Sequence, residues 1–273
     1  MILSIEGEEK TGKTTLAYTA PLKIVGFQFD LGAERALMGL RYNEFFKDLT
    51  VVHVSYDPKR KTFQDLWAKA DIVIFELPAP VQIDSTRVHG VKELWDYFLA
   101  IIGEAIRDPL VRSLVMDTMT LARRVKADAY LQALQEVERS SQRVKLLQIE
   151  YGAPNGAIRD LFSACKSIRK NLTAVHHLTD EYGEVNKVLQ DKVVSERVRT
   201  GRRVLEGIEQ TYRYVDVALR MEKRGKELIG RVVSCGYALE LEGMELPNPT
   251  WDSLVTTIGM TIEDRIQFER RNT

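Results

Sequence analysis

The sequence predicts an α/β fold: a mostly parallel β-sheet flanked by helices, with an antiparallel hairpin near the C-terminal end. Three observations predict it. A glycine loop, Gly7-Glu8-Glu9-Lys10-Thr11-Gly12-Lys13-Thr14, stands between an apolar run and a helix-competent run. Short apolar segments then alternate with segments of helical periodicity. Finally, two strand-like segments flank Lys223-Arg224-Gly225-Lys226, the pattern of a hairpin.

The elements follow in order. Ile2–Glu6 reads as a short buried strand, with no arm before it, and 13–20 as a helix stopped by Pro21. Strands are expected at 23–29, 50–56 and 71–76, with a helix at 62–69 between the last two. Residues 91–107 carry Leu94, Phe98, Ile101, Ile102 and Ala105 on one helical face. Residues 113–117 form a strand ending in an acid. A long charged helix is expected at 121–148, broken near Ser140-Ser141, followed by a loop at 151–156 and a helix at 157–169. Leu172–His176 is a further strand. The hairpin pairs 214–222 with 228–235, and a short helix at 252–258 follows Trp251.

With 273 residues, 44% of them hydrophobic, the chain suffices for one domain, with a core at about 1–235 and an extension at about 236–273. Lysine plus arginine and aspartate plus glutamate both number 39. That balance excludes a whole-protein basic field, so nucleic acid would have to be held by a local patch. Cys165 and Cys235 are too few for a disulfide framework or a four-cysteine zinc site and read as buried thiols. No apolar run has the length of a membrane span, and the N-terminus has no basic region ahead of an apolar one. The expectation is a cytoplasmic protein with no membrane partner.

The loop at 7–14 fits the G-x-x-x-x-G-K-[ST] pattern in full. Gly7 and Gly12 let the backbone wrap so that successive N–H groups point inward at phosphate oxygens. Lys13 supplies an ammonium for the outer phosphates, and the Thr14 hydroxyl is a ligand for Mg²⁺. Glu8, Glu9, Lys10, Thr11 and Thr15 complete the expected nucleotide contact, and the helix start adds partial positive charge. Glu8 and Glu9 are tolerable beside phosphates only if they point away. No Asn-Lys-x-Asp segment reads guanine, so the nucleotide expected is ATP.

Such a loop needs a carboxylate at the end of a neighbouring strand to hold Mg²⁺. Leu114-Val115-Met116-Asp117 supplies it. Hydrolysis needs a group to orient or deprotonate water, and Asp30 and Glu34 are the candidates, with Glu34 slightly preferred. His176-His177 closes the strand after the Asp117 strand, where a polar side chain would lie near the terminal phosphate, and His176 is the candidate reporter.

The loop at 7–14, the acid-ended strand at 23–30, Leu-Val-Met-Asp117 and Thr-Ala-Val-His176 come in an order that resembles RecA-like ATPases. Phe29-Asp30-Leu31-Gly32-Ala33-Glu34-Arg35-Ala36-Leu37 is similar to the segment bearing the catalytic glutamate there. More closely, the chain resembles phage-encoded RecA-like proteins of the Sak single-strand-annealing type, also at Tyr151-Gly152…Asn155 and Asn248-Pro249-Thr250-Trp251. The resemblance implies ATP- and Mg²⁺-dependent binding of single-stranded DNA, annealing or strand exchange, and assembly with further copies of the chain. It also implies a phage protein in the host cytoplasm, with a single-strand DNA-binding protein as a further candidate partner.

Lys187, Lys192, Arg197, Arg199, Arg202 and Arg203 cluster after the His176 strand and are the candidate DNA contacts. The reading there is a mobile loop or a solvated helix, with Tyr182 and Tyr212 only flanking it. Lys223, Arg224, Lys226 and Arg231 on the hairpin are candidates to reach a neighbouring subunit's nucleotide. Two other functions fit the same loop: a small-molecule kinase with 187–203 as its lid, and a non-hydrolysing ATP switch that loads partners onto DNA.

Overall fold

The structure, a computed structural model, describes residues 1–38, 43–82, 87–137, 143–189, 192–207 and 209–262, the side chains of 43, 185–189, 192–194, 209, 210 and 262 excepted. In chain order the elements are β1 (Ile2–Gly7), α1 (Lys13–Ala17), β2 (Ile24–Gln28), α2 (Ala33–Leu37), α3 (Asn43–Phe46), β3 (Val51–Ser55), α4 (Gln64–Lys69) and β4 (Ile72–Glu76). Next come α5 (Val91–Arg107), β5 (Ser113–Asp117), α6 (Met119–Val137), α7 (Gly152–Ser167) and β6 (Asn171–His176). The chain continues through β7 (Leu178–Leu189), β8 (Lys192–Leu205), β9 (Val217–Arg224), β10 (Glu227–Cys235), β11 (Glu245–Pro247) and α8 (Trp251–Ile262).

Nine strands form one sheet in the order β11-β10-β9-β1-β6-β5-β2-β4-β3. From β9 to β3 every neighbouring pair is parallel, whereas β10 pairs antiparallel with β9 and β11. This is the mostly parallel α/β sheet with an antiparallel hairpin that the sequence predicts. Helices cover both faces. One apolar layer sets Trp95 and Phe98 of α5, Val125 of α6 and Phe162 of α7 against Phe27, Met116 and Leu172. The other sets Leu16 of α1 and Leu254 of α8 against Ile5, Ile24 and Val115. Strands buried on both faces are rich in apolar residues, which is why they read as near-continuous apolar runs.

Strand alternation decides which side chains serve the site. On β5, Val115 and Asp117 share the face covered by α1. On β1, Glu6 shares the opposite face with Ile2. The C-terminal ends of β1, β6, β5 and β2 meet at one edge, the usual ligand-binding edge of an open parallel sheet.

Several local expectations are corrected. The long helix expected at 121–148 ends at Val137 in the described residues, and a 3₁₀ turn, Gln148–Tyr151, precedes α7; Ser140 and Ser141 lie outside the described residues. The loop expected at 151–156 is instead the start of α7, because Pro154 sits in the first turn, where a missing N–H leaves no hydrogen bond unmade. The first helix ends at Ala17, three residues early, and the Thr19 hydroxyl turns back to the Leu16 carbonyl. The last helix runs to Ile262 rather than 258.

The cationic segment is neither loop nor helix. β7 and β8 pair antiparallel from Leu178↔Leu205 to Leu189↔Lys192 as a separate two-stranded ribbon. Both of its faces are largely polar, so it lacks the apolar stripe that marks a strand in sequence.

Candidate functional site

The phosphate loop leaves β1 and enters α1 with the geometry its glycines require. Gly12 has φ 82°, and Gly7 lies against β9 so closely that an added Cβ would stand 2.4 Å from the Met221 carbonyl oxygen. The Thr11 hydroxyl donates to the Glu8 carbonyl at 2.8 Å, closing the loop on itself. Lys13 is buried, and its ammonium donates to the carbonyls of Gly7 (2.8 Å) and Glu8 (2.5 Å). Burial lowers the Lys13 pKa, against the pull of Asp117, Glu8, Glu9 and Asp30.

Asp117 is fully buried at the end of β5, and neither carboxylate oxygen has a hydrogen-bond partner among the described residues. Burial first, and Asp30 second, push its pKa up to about 7. The Thr14 hydroxyl lies beside it and opposes the shift without meeting hydrogen-bond geometry. A buried carboxylate left bare next to a second acid and a hydroxyl suits a divalent cation, which would stabilise the ionised form that burial penalises.

A cavity of about 660 Å³ opens over these groups, within the range of small-molecule sites. It is lined by residues 9–15, by Asp30, Gly32, Arg35 and Ala36, and by Asp117, Thr118, Val175 and His177. The structure therefore brings Lys13, Thr14, Asp30 and Asp117 together. Glu34, on α2, is exposed and does not line the cavity. A turn with positive φ at Leu31 (55°) follows Asp30, and the residues of α2 that line the cavity beyond it are Arg35 and Ala36.

His176 also lies off the cavity. It is fully buried, both ring nitrogens are without a partner among the described residues, and burial lowers its pKa to about 3. The histidine at the cavity is the next one, His177, whose backbone N–H donates to the Thr120 hydroxyl at 3.1 Å.

Glu8 and Glu9 diverge. Glu8 points away from the cavity to Arg203 of β8 at 3.1 Å, whereas Glu9 is exposed at the rim. Behind the loop lies a network that sequence reading missed. Glu6 is buried in β1, accepts from Arg220 Nε at 2.6 Å and from the Tyr212 hydroxyl at 2.5 Å, and so keeps its charge paired. A single charged residue inside a fully buried six-residue strand was the available signal.

On the ribbon, Arg197, Arg199, Arg202 and Arg203 are exposed, and Lys187 and Lys192 have side chains outside the described residues. The ribbon corrects one further point. Tyr182 is not a flanking residue but the register partner of Arg199, whose guanidinium lies 5.9 Å from its ring centre. Among the hairpin candidates, Arg224 is held within the chain by Glu245 (2.6 and 2.5 Å) and Glu222 (3.1 Å). Arg231 pairs in register with Arg220, and Lys223 and Lys226 are exposed near the turn.

No family profile matches the chain. No curated protein matches it either. Among solved structures it is similar to a KaiC-like protein from the hyperthermophilic archaeon Pyrococcus horikoshii OT3, with 14% identity over 90% of this chain and 83% of that one and a TM-score of 0.40. The site itself is described by this chain's own residues. They form a P-loop fold, with the loop strand β1 separated from the acid strand β5 by β6. Among the described residues no helix is long and apolar enough to cross a membrane.

Proposed function

We propose that the chain is an ATP-dependent recombination or annealing protein of RecA-like type that binds single-stranded DNA and hydrolyses ATP with Mg²⁺. The observation that carries the nucleotide part is one cavity shared by the phosphate loop and the bare, buried carboxylate of Asp117. Loop amides and Lys13 bind and orient the phosphates. Thr14 and Asp117 would hold Mg²⁺, which supplies charge neutralisation at the phosphates. Asp30 is the acid placed to orient or deprotonate the attacking water, since it lines the cavity and Glu34 does not.

The DNA part is supported by the ribbon. A two-stranded arm carrying Arg197, Arg199 and Arg202 on its exposed surface, with Tyr182 available for stacking, suits a flexible polyanion better than a small acceptor. Its base is joined to the phosphate loop through Arg203 and Glu8, which gives nucleotide and DNA a physical route to sense each other. Assembly with further copies of the chain remains part of the proposal.

The test is ATP hydrolysis with and without single-stranded DNA, in wild type and Lys13→Ala. The expected result is turnover that DNA stimulates and that Lys13→Ala abolishes while the fold is kept. Turnover retained by Lys13→Ala would overturn the site. Transfer to a nucleoside monophosphate, indifferent to DNA, would replace this function with a kinase.

A further inference from the structure

The cavity beside the phosphate loop is also lined by an arginine for which the loop motif gives no role. Arg35, in α2, lines the cavity with Asp30 and Asp117. Its neighbours on α2 are fixed from two sides. The Thr15 hydroxyl of α1 donates to the Ala36 carbonyl at 3.1 Å. The Gln28 side-chain amide lies against the backbone N–H groups of Gly32 and Ala33. Three contiguous features (strand end, loop and helix start) thus hold the Arg35 backbone at the rim, while its side chain is exposed and makes no ion pair or hydrogen bond among the described residues.

Charge favours one class of ligand atom for it. Asp30 and Asp117 line the same cavity, and among the described residues no ion pair joins either of them to Arg35. Lys13 donates to the loop carbonyls of Gly7 and Glu8. A triphosphate bound there would meet the loop amides with its inner phosphates, and its terminal phosphate would extend toward the acids at the ends of β5 and β2. An arginine fork matches the oxygens of a terminal phosphoryl group, which carries more charge than a bridging one.

We propose that Arg35 is a phosphate-binding residue that contacts the terminal phosphate of a bound nucleoside triphosphate from within the same chain, and so distinguishes triphosphate from diphosphate. This rests on the nucleotide site proposed above. It also differs from the hairpin cations, since it needs no neighbouring subunit.

The experiment is a fluorescence titration with ADP and with a non-hydrolysable ATP analogue, in the presence of Mg²⁺, on wild type, Arg35→Ala, Arg35→Gln and Arg35→Lys. Because Arg35 is exposed and unpaired among the described residues, all three variants are expected to melt as wild type does. The expected result is a loss of analogue affinity of about ten- to a hundredfold in Arg35→Ala and Arg35→Gln, with ADP affinity changed less than about twofold. Arg35→Lys retains part of the preference, since it keeps the charge and loses the fork. Equal losses for both nucleotides, or none, would overturn the assignment of Arg35 alone. A wild type that binds neither nucleotide would instead overturn the nucleotide site, and this inference with it.

Discussion

Arg203 of the ribbon and Glu8 of the phosphate loop, 195 residues apart in sequence, meet at 3.1 Å. The same guanidinium reaches Asp180 at 3.2 Å, and the Arg203 carbonyl accepts from Arg220, which is paired with Glu6 of β1. The root of the ribbon is therefore fastened to the strand that precedes the loop and to the loop itself. Both partners of the Arg203–Glu8 pair are largely solvated, and such pairs contribute little to stability, about 0–1 kcal/mol. Their consequence is geometric: under the proposed function, the pair would carry a shift of the loop on meeting phosphates to the ribbon.

A double-mutant cycle separates that role from stability. Arg203→Ala and Glu8→Gln are each expected to change unfolding free energy by less than about 1 kcal/mol. Each is expected to lower the stimulation of ATP hydrolysis by single-stranded DNA, and the double variant to lower it no further than Arg203→Ala. Additive losses would mean that the two residues act separately.

Asp117 and His176 pull stability in opposite directions with pH. Asp117 is held up to about 7 by burial, so its contribution to stability is complete below the unfolded aspartate value and is lost as pH rises through about 7. His176 is held down to about 3 by burial, so its contribution is complete above the unfolded histidine value and is lost as pH falls toward 3. Between roughly pH 4 and 6.5 the two slopes oppose each other. Melting temperature against pH, measured without nucleotide, is expected to be flat there in wild type relative to the variants. Asp117→Asn leaves the histidine and should gain stability steeply as pH rises, whereas His176→Asn leaves the aspartate and should lose it. Identical profiles for all three proteins would show that neither burial matters.

How legible these groups were depended on distance along the chain. The phosphate loop, the acid at the end of β5 and the β9–β10 hairpin are local patterns, each decided by residues within one or two turns of one another. Asp30 and Glu34 were not separable because the choice turns on the backbone at Leu31, a non-glycine residue with positive φ that sequence does not flag. His176 and His177 were not separable because one residue of strand length exchanges the buried and the cavity position. The ribbon was invisible because β7 and β8 alternate without an apolar face, and the pairing of Tyr182 with Arg199 follows only from their register. The Glu6 network joins residues more than 200 positions apart, so only the odd acid in β1 announced it.

Gly7 and Gly152 make a contrasting pair. At Gly7 an added methyl meets backbone, the Met221 carbonyl oxygen at 2.4 Å, and φ is 150°, so neither rotamer nor side chain can relieve it. Gly7→Ala is expected to lower unfolding free energy by about 1–3 kcal/mol. At Gly152, the first residue of α7, a methyl meets nothing within 4 Å, and the backbone is helical. Gly152→Ala is expected to raise stability by about 0.4–1 kcal/mol, chiefly by restricting the unfolded chain. Denaturant midpoints at constant slope check both; a neutral Gly7→Ala would mean that β1 and β9 are not packed so closely.

The ribbon arginines differ in how free they are to meet a polyanion, and salt dependence reads that difference. Arg197 and Arg202 have no acidic partner closer than 4 Å among the ion pairs of the described residues, whereas Arg199 is shared between Asp180 and Tyr182, and Arg224 on the hairpin is committed to Glu245. Each phosphate contact on a single strand contributes a slope of about 0.7 in log affinity against log salt. Replacing Arg197 and Arg202 by glutamine is therefore expected to weaken DNA binding and reduce that slope by about 1.4. Arg224→Gln should leave the slope unchanged, because its charge is already neutralised within the chain. Tyr182→Ala should cost about 1–3 kcal/mol of stacking at every salt concentration without altering the slope. An unchanged slope after losing Arg197 and Arg202 would place the DNA on another face, and a slope changed by Tyr182→Ala would mean that the ring acts by holding Arg199 rather than by stacking on a base.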